Sequence, residues 1–517
     1  MTATLPVKSR TDLFPPSCSQ TRPSARLLAR VSTDQSDCNT LPRRLVSKVA
    51  DVHTRESIRP AAAMMTTGPK PQAAAQVMYT ELQTFAAKRQ RLYSWYVLGV
   101  LFLVSVFNYI DRQSLAILQI PIKLELGLSD TQLGALTGLS FALLYSSLAL
   151  PIARLADRYN RVWLVGIALG IWSLMTATSG LAIGMITLTM CRMGVAFGEA
   201  GCVPASHSLI SDYFTRQQRA TAIATWALSF PVGTMLGFMS GGWLSSAFGW
   251  RHAFMILGIG GLCLIPLVLT LREPLRGATD GIAAPVRSET PPLVQAVKTL
   301  WSLRAFRHAT FAGALIDFTL YATLNWNAPF YNRTFGLSGS DLAGHMALLS
   351  GVGSGLGVYF GGRIADQLAR RDARWYLWTP ALAAIVAAPC MCVQYFTPQS
   401  NVSLLVGYLP AALLSCFLAP LVATAQLLVP ANLRAFTSAV LALVVSIVGL
   451  GLGPLVTGMI SDLLASRYGL GKDSLRYAIA ASAIPALWGA VHFLRAAHFL
   501  RDELASTSSS ILPQSKS

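Results

Sequence analysis

An acidic and a basic residue stand side by side in an otherwise uncharged apolar stretch. Asp111 and Arg112 lie within the segment FNYIDRQS, and no other residue from Leu92 to Ile122 carries a formal charge. On insertion scales a charge at the centre of a bilayer costs about 2.5–3.5 kcal/mol, so charges in a membrane span are paired or line water. We therefore expect each of the two side chains to have a partner on another helix.

A second acid and base occur in a later apolar stretch. Arg192 and Glu199 are seven residues apart, which places them on one face of a helix and about 10 Å apart along its axis. Asp111 and Arg112 are about 100° apart around their helix, so they cannot share one partner. The spacing predicts two crossed pairs, Asp111 with Arg192 and Glu199 with Arg112.

Four such residues sum to zero charge, and this suggests a coupling chemistry. Protonation of one carboxylate would release its arginine and leave a positive site for an anionic group, which the planar guanidinium binds well. The alternative is a fixed salt bridge that only holds the helices together.

The composition indicates a polytopic membrane protein. Apolar residues make up 53% of the 517 residues and charged residues 12%, with a mean hydropathy of +0.50. The net charge of +18 does not indicate nucleic acid as a partner, because the basic residues are scattered over short loops and one terminal segment. The cysteines lack ligand spacing and no catalytic or phosphate-binding motif occurs, so we expect no metal, no cofactor and no enzyme activity.

Residues 1–90 differ from the rest of the chain. They are rich in Ser, Thr, Pro and Arg, and up to Arg91 they hold 14 Lys or Arg against 6 Asp or Glu. Such a segment cannot bury a core. We expect a disordered basic tail, or an upstream extension with the true start at Met64, Met65 or Met78.

Twelve apolar spans follow, each near the ~20 residues that a helix needs to cross a bilayer. They are predicted at 94–120, 131–153, 162–183, 186–210, 219–246, 252–271, 306–331, 342–364, 375–396, 403–429, 435–461 and 476–497. The fold class is therefore an all-α integral membrane protein with two six-helix halves, 91–271 and 305–500, a central loop at 272–304 and a tail at 501–517. Lys and Arg are more frequent in the loops after even-numbered spans, which predicts that both termini are cytoplasmic.

The two halves repeat short motifs. IARLAD (152–157) follows span 2 as GGRIAD (361–366) follows span 8, and a segment from Arg219 resembles one from Arg434. Two similar halves are the architecture in which a substrate site lies between repeats, which predicts transport by alternating access. The residues expected to control the gates are Asp157, Arg158, Arg161, Arg219, Gly362, Asp366 and Arg434.

These motifs resemble the major facilitator superfamily from Leu92 to Leu500. The signature after span 2 is present as ARLADRYNRV, although Ala153 and Asn160 replace its two glycines. Together with FNYIDRQS and CRMGVAFGEAG, the chain resembles the bacterial spinster-like branch. That resemblance implies proton-coupled movement of small organic or lysolipid-like solutes across a bacterial inner membrane, with Asp111, Arg112, Arg192 and Glu199 as the functional acids and bases. We also expect the protein to be a monomer. The alternative is an organic-anion:proton symporter of the hexuronate-like branch, which shows a similar NYIDR start.

Span 7 is unusually polar for a membrane helix. We expect its polar residues, with one from span 10, to line a substrate cavity, namely Asp317, Tyr321, Asn325, Trp326 and Gln426. Packing between helices would explain the same pattern. The expected partners are a small-molecule substrate, protons and the lipid bilayer.

Overall fold

The computed structural model describes residues 71–276, 293–429 and 433–509, without certain side chains inside helices such as that of Asp157. The described residues belong to two units, 71–90 in the first and 91–509 in the second. In the first unit the described residues, 71–90, are helical, whereas we expected no ordered structure there. Residues 1–70 and most of the central loop, 277–292, lie outside the described residues.

The described helices coincide with the twelve predicted spans. Spans 1–6 correspond to the helices Pro71–Leu126, Asp130–Gly134, Ser140–Arg158, Arg161–Ser179, Met185–Glu199, Cys202–Tyr213, Arg216–Ala227, Ser229–Leu262 and Ile265–Leu269. Spans 7–12 correspond to Arg304–Phe335, Gly339–Ala347, Ser354–Ala369, Trp375–Phe396, Ser400–Ser415, Leu418–Leu427, Arg434–Ser446, Gly453–Tyr468, Ser474–Ala481 and Ala483–Ser509. A short helix, Leu293–Ser302, precedes span 7, and a 3₁₀ turn, Gly471–Asp473, precedes span 12.

By length and composition, seven of the described helical runs could cross a membrane. One of them, residues 217–269, contains both span 5 and span 6. The chain turns between these spans at Gly249, whose φ of 80° is a conformation that glycine adopts at little cost. Span 4 is divided at Ala200 and Gly201, and span 7 carries buried Asp, Asn and Thr side chains that lower its hydropathy.

Three spans contain a π-helical turn. The turns are Ala135–Leu139 in span 2, Leu348–Gly353 in span 8 and Ile447–Leu452 in span 11. Each contains glycine, and each interrupts the regular i→i+4 hydrogen bonding. These spans, together with span 5, pack across the boundary between the halves.

Within each half, consecutive and next-neighbour spans pack together, with span 3 against spans 4 and 6 and span 7 against span 12. Between the halves, span 2 packs against span 11 and span 5 packs against span 8. Small residues permit this approach: a Cβ atom on Gly138 would lie 2.7 Å from the carbonyl oxygen of Gly451. Below, the end of the bundle where span 1 finishes is called the distal end, and the end where it begins the proximal end.

Candidate functional site

One of the two predicted ion pairs is present in the N-terminal half. Arg112 Nε lies 2.6 Å from Glu199 Oε2 and donates a hydrogen bond to it. The Glu199 side chain is fully buried, and that of Arg112 is 14% exposed. Spans 1 and 4 are therefore joined through a charge-assisted hydrogen bond in a region of low polarity, where such a bond is strong.

Aromatic rings surround the Arg112 guanidinium. Its central carbon lies 4.7 Å from the ring centroids of both Phe141 and Tyr145 and 5.6 Å from that of Tyr109. Arg192 also approaches Phe141, at 5.3 Å. Span 2 thus places the Phe141 ring close to both arginines. Contact with an aromatic ring stabilises a buried cation.

The second predicted pair, Asp111 with Arg192, is not formed. Neither Asp111 oxygen lies within 4 Å of an Arg192 nitrogen in the described structure; instead Asp111 Oδ2 accepts a hydrogen bond of 3.2 Å from Thr176 of span 3. Asp111 Oδ1, Arg192 Nε and Glu199 Oε1 are buried without hydrogen-bond partners. The prediction of two crossed pairs was wrong in this respect: Asp111 is hydrogen-bonded to Thr176, and the Arg192 guanidinium lies against the Phe141 ring.

Close helix packing positions Glu199. Its neighbour Gly198 is buried against span 3, where an added Cβ would lie 2.7 Å from the backbone nitrogen of Trp172. This contact allows spans 3 and 4 to approach closely. Thr176 of span 3 lies one turn beyond Trp172, so the same packing brings the hydroxyl to Asp111.

At the proximal end, Arg161 forms a network within the N-terminal half. Its side chain is buried and is paired with Asp212 at 2.5 Å and with Glu273 at 2.7 Å. Glu273 also accepts hydrogen bonds from the backbone N–H groups of Arg161 and Val162, which caps the start of span 3. Arg161 therefore ties spans 3, 4 and 6 together.

Two of the other predicted gate residues, Asp366 and Arg219, also contact their own half. Asp366 accepts a hydrogen bond of 2.9 Å from Tyr376 at the start of span 9 and is not paired with Arg434. Arg219 donates to the carbonyl oxygen of Ser211 at 2.6 Å. Arg158 and Arg434 are exposed, Gly362 is half-buried, and the side chain of Asp157 lies outside the described residues.

The distal end carries an inter-half cluster that sequence reasoning missed. Asp130, at the start of span 2, forms two hydrogen bonds with Arg333 at the end of span 7, at 2.6 and 2.7 Å. It also accepts from Lys123 and from Ser461 of span 11. Asp462 in turn accepts from the backbone N–H groups of Asp130 and Thr131. The sequence held one signal for it, an acid immediately after Ser129 in the first turn of a helix.

The charge of Asp130 is stabilised by these contacts. Burial raises the pKa of this carboxyl, but the hydrogen bonds and positive charges of Arg333 and Lys123 outweigh burial and lower the pKa to about 2. The carboxylate is therefore ionised over the physiological range. The halves are in contact at the distal end through a cluster that requires this charge.

The sequence and structure compare with known proteins as follows. The family model "Major Facilitator Superfamily" matches residues 101–454. The chain belongs to the major facilitator superfamily. An "MFS-type efflux pump" of Mycolicibacterium smegmatis is 32% identical over 419 residues, which cover 79% of this chain and 94% of that protein. "Protein spinster homolog 3" of Danio rerio is 26% identical over 446 residues, covering 81% and 88%.

A solved structure supports the same placement within the superfamily. The crystal structure of a bacterial homolog to the human lysosomal transporter Spinster, in an inward-facing and unoccupied conformation, is similar with a TM-score of 0.73 and 29% identity. The match covers 80% of this chain and 98% of that one. This chain is thus a membrane-embedded, multi-pass transporter of small molecules of the spinster type, a non-enzymatic class, with the predicted twelve-span fold.

The residues of span 7 that were predicted to line a cavity make several kinds of contact. Trp326 is fully buried and donates a hydrogen bond of 2.9 Å to the carbonyl oxygen of Pro454, so it packs spans 7 and 11 and does not line a cavity. Asn325 donates to the carbonyl oxygen of Tyr321, and Tyr321 remains half-buried. Asp317 packs against Gly449 in the π-helical turn of span 11.

The C-terminal half holds a small pocket with both apolar and polar lining residues, which the sequence analysis did not identify. Its polar lining residues are Thr323, Asn327, Ser350, Ser354 and Gln394. The Gln394 amide donates to the Tyr331 hydroxyl at 3.1 Å, and the Tyr395 hydroxyl donates to Asn327 at 2.8 Å. Gln426 is half-buried, with its amide 3.4 Å from the Ser438 hydroxyl. The pocket lining comes from spans 7–10, so only the folded half brings these residues together.

Proposed function

We propose that this chain is a proton-coupled secondary transporter that moves a small organic or lysolipid-like amphipathic solute by alternating access. The observation that carries the proposal is the buried site of Asp111, Arg112, Arg192 and Glu199. It contains one closed ion pair, Arg112 with Glu199, next to an acid and a base that do not contact each other. A structural salt bridge alone does not require the second acid and base to be buried.

The four residues have complementary roles in this proposal. Arg192 has a cationic side chain without a carboxylate partner, so it binds the anionic headgroup or carboxylate of the solute. Asp111 has one buried oxygen without a hydrogen-bond donor, so it accepts a proton. Protonation of Glu199 weakens its bond to Arg112, which releases span 1 from span 4. The aromatic rings around Arg112 suit a solute with an apolar part.

The direction of opening follows from the inter-half contacts. Span 2 contacts span 11 and Asp130 contacts Arg333, so we assign the distal end to the closed, outer side. The similar solved transporter has an inward-facing conformation, which supports the same state for this monomer. Cytoplasmic termini in a bacterial inner membrane agree with this assignment.

A transport assay with the purified protein tests the coupling. In proteoliposomes with an imposed pH gradient, the wild type is expected to show saturable solute flux that depends on the gradient. Asp111→Asn and Glu199→Gln are expected to lose this dependence, whereas Asp341→Asn, which removes an exposed acid near the distal end, keeps it. Full pH-dependent flux in both buried variants would refute the coupling role.

A second candidate function is an organic-anion:proton symporter. The unpaired Arg192 favours it, because a guanidinium binds a small carboxylate as well as it binds a headgroup. A screen of sugar acids and lysolipids at two pH values separates the candidates. Uptake of sugar acids driven by an inward proton gradient, with no response to lysolipids, would select the symporter.

A further inference from the structure

Two aligned side-chain stripes meet on the outside of the C-terminal half, near the proximal end. On span 7 the stripe is Arg304, His308 and Phe311, at spacings of four and three residues. On span 12 it is Trp488, His492, Arg495 and Phe499, at spacings of four, three and four. Residues at these spacings share one helix face. Spans 7 and 12 pack closely, so the stripes form a shallow groove.

The stripes contact each other along the groove. The Nδ1 atoms of His308 and His492 are 2.9 Å apart, so one imidazole donates a hydrogen bond and the other accepts. His308 stacks on Phe499 with the ring planes 12° apart, and Arg304 lies 5.4 Å from the Phe499 ring centroid. The groove therefore has an ordered floor.

Positive charge is concentrated at the proximal end of the groove. Arg304 and Arg495 are exposed, and the described residues include no carboxylate within 4 Å of either guanidinium. Glu503 accepts hydrogen bonds from the backbone N–H groups of Arg304 and Ala305. The imidazole that accepts at Nδ1 carries its proton on Nε2 and supplies a further donor.

Apolar aromatic surface continues towards the middle of the membrane. Phe311 is 43% exposed and Trp488 is 59% exposed, and they lie about two turns deeper than Arg304 and Arg495, respectively. The two ends of the groove are separated by about 10 Å, the length of seven helical residues. A polar, cationic end followed by an aromatic end matches a molecule with an anionic head and hydrocarbon chains.

The helix before span 7 places the cationic end at the membrane boundary. Helix Leu293–Ser302 buries Ala296 and Leu300 against the bundle but exposes Val294, Val297 and Trp301. This helix therefore has a buried apolar stripe and an exposed apolar stripe. We expect the exposed stripe to contact lipid. Trp301 lies 5.9 Å from Phe311, so the helix borders the groove.

We propose that this groove between spans 7 and 12 is a binding site for an anionic phospholipid. The phosphate contacts Arg304 and Arg495 and the free Nε2–H of the histidine pair, and the acyl chains lie against Phe311 and Trp488. Basic sites between transmembrane helices bind lipid headgroups by this chemistry. The site is on the surface of the C-terminal half, separate from the charged site around Arg112.

Native mass spectrometry of the full-length protein with added phosphatidylglycerol or phosphatidylcholine tests the proposal. The wild type is expected to retain phosphatidylglycerol more tightly. The double variant Arg304→Gln/Arg495→Gln is expected to bind it roughly tenfold more weakly or worse, since each surface arginine contributes to anionic lipid affinity. The matched control Arg370→Gln/Arg371→Gln removes two exposed arginines from the loop before span 9 and is expected to bind as the wild type does.

Two further arms make the outcome decisive. Arg304→Lys/Arg495→Lys keeps the charge and is expected to retain most of the binding, which separates loss of charge from loss of folding. Inorganic phosphate at the same concentration is expected not to compete. Equal binding of both lipids by the wild type, equal loss in the Arg370/Arg371 control, or full competition by phosphate would each overturn the proposal.

Discussion

The buried pair of Arg112 and Glu199 is the closed ion pair of the candidate site. Both side chains are removed from water, so the pair gains from mutual attraction but loses hydration. The rings of Phe141 and Tyr145 recover part of that loss for the cation. No such compensation is available to a carboxylate, so Glu199 depends on Arg112.

We expect Glu199→Gln to destabilise the protein strongly, because it leaves the Arg112 cation buried without its counter-charge. Removal of one partner of a buried pair costs about 3–5 kcal/mol. The double variant Arg112→Met/Glu199→Leu is expected to recover much of this stability and to remain inactive in transport. Thermal unfolding in detergent measures the first effect and proteoliposome flux the second; a double variant as unstable as Glu199→Gln would contradict the argument.

Asp130 gives a prediction with a defined pH range. Its pKa is lowered from 3.8 to about 2 in the folded state by Arg333 and Lys123, against the effect of burial. The stabilisation is therefore fully present above about pH 4 and is lost as the pH falls through about 2. Asp130→Asn should unfold at a lower temperature than the wild type above pH 4, and the difference should shrink towards pH 2. A difference that is independent of pH would show that the charge is not involved.

At the level of secondary-structure elements, the π-helical turns and their glycines determine how spans 2 and 11 meet. Gly138 and Gly451 belong to turns that contact each other, and a Cβ atom on Gly138 would lie within 3 Å of the carbonyl oxygens of Leu450 and Gly451. The same local irregularity that weakens each helix allows the backbones of the two halves to touch.

Gly138→Val is expected to separate spans 2 and 11 and to open the distal end. A suitable readout is labelling of a cysteine introduced at the buried Leu128 position, in a chain whose own cysteines are replaced. The control is Gly344→Val, because a Cβ atom at Gly344 meets no atom within 4 Å. Faster labelling only in Gly138→Val is the expected result; equal labelling in both variants would mean that this contact does not hold the distal end closed.

At the scale of the whole molecule, transport requires the two halves to move relative to each other. A Cβ atom on Gly451 of span 11 would lie 3.2 Å from that of Ala142 of span 2, close to the spacing found in disulfides. We expect Ala142→Cys/Gly451→Cys to lose transport on oxidation and to regain it on reduction.

The chain offers a control of the same geometry for this experiment. A Cβ atom on Gly353 would lie 3.3 Å from that of Ala411, but spans 8 and 10 belong to the same half. Gly353→Cys/Ala411→Cys should therefore transport normally after oxidation. Loss of flux in both oxidised variants would indicate local distortion, and unchanged flux in the oxidised Ala142/Gly451 variant would argue against movement between spans 2 and 11.

The sequence by itself determined the number and order of the spans and one of the two ion pairs. Hydropathy and helical spacing are local properties, so they predicted all twelve spans and the pairing of Arg112 with Glu199. The comparisons with known proteins confirmed the family that the motifs around Asp111 and Asp157 had indicated. Helix ends were predicted less accurately than the spans themselves: the first helix begins at Pro71, well before the apolar stretch that predicts span 1.

The tertiary structure alone decided which polar groups meet across helices. Asp111 bonds to Thr176, Trp326 packs against Pro454, and Asp130 joins Arg333 across more than 200 residues of chain. These contacts depend on helix rotation and on close approaches at glycines, and a sequence pattern records neither. The apolar faces of the helices can be predicted from the sequence, because contact with lipid requires an apolar residue at each exposed position. The partners of the charged residues cannot be predicted in this way, since a charge can be satisfied by any donor or acceptor that the packing brings within reach.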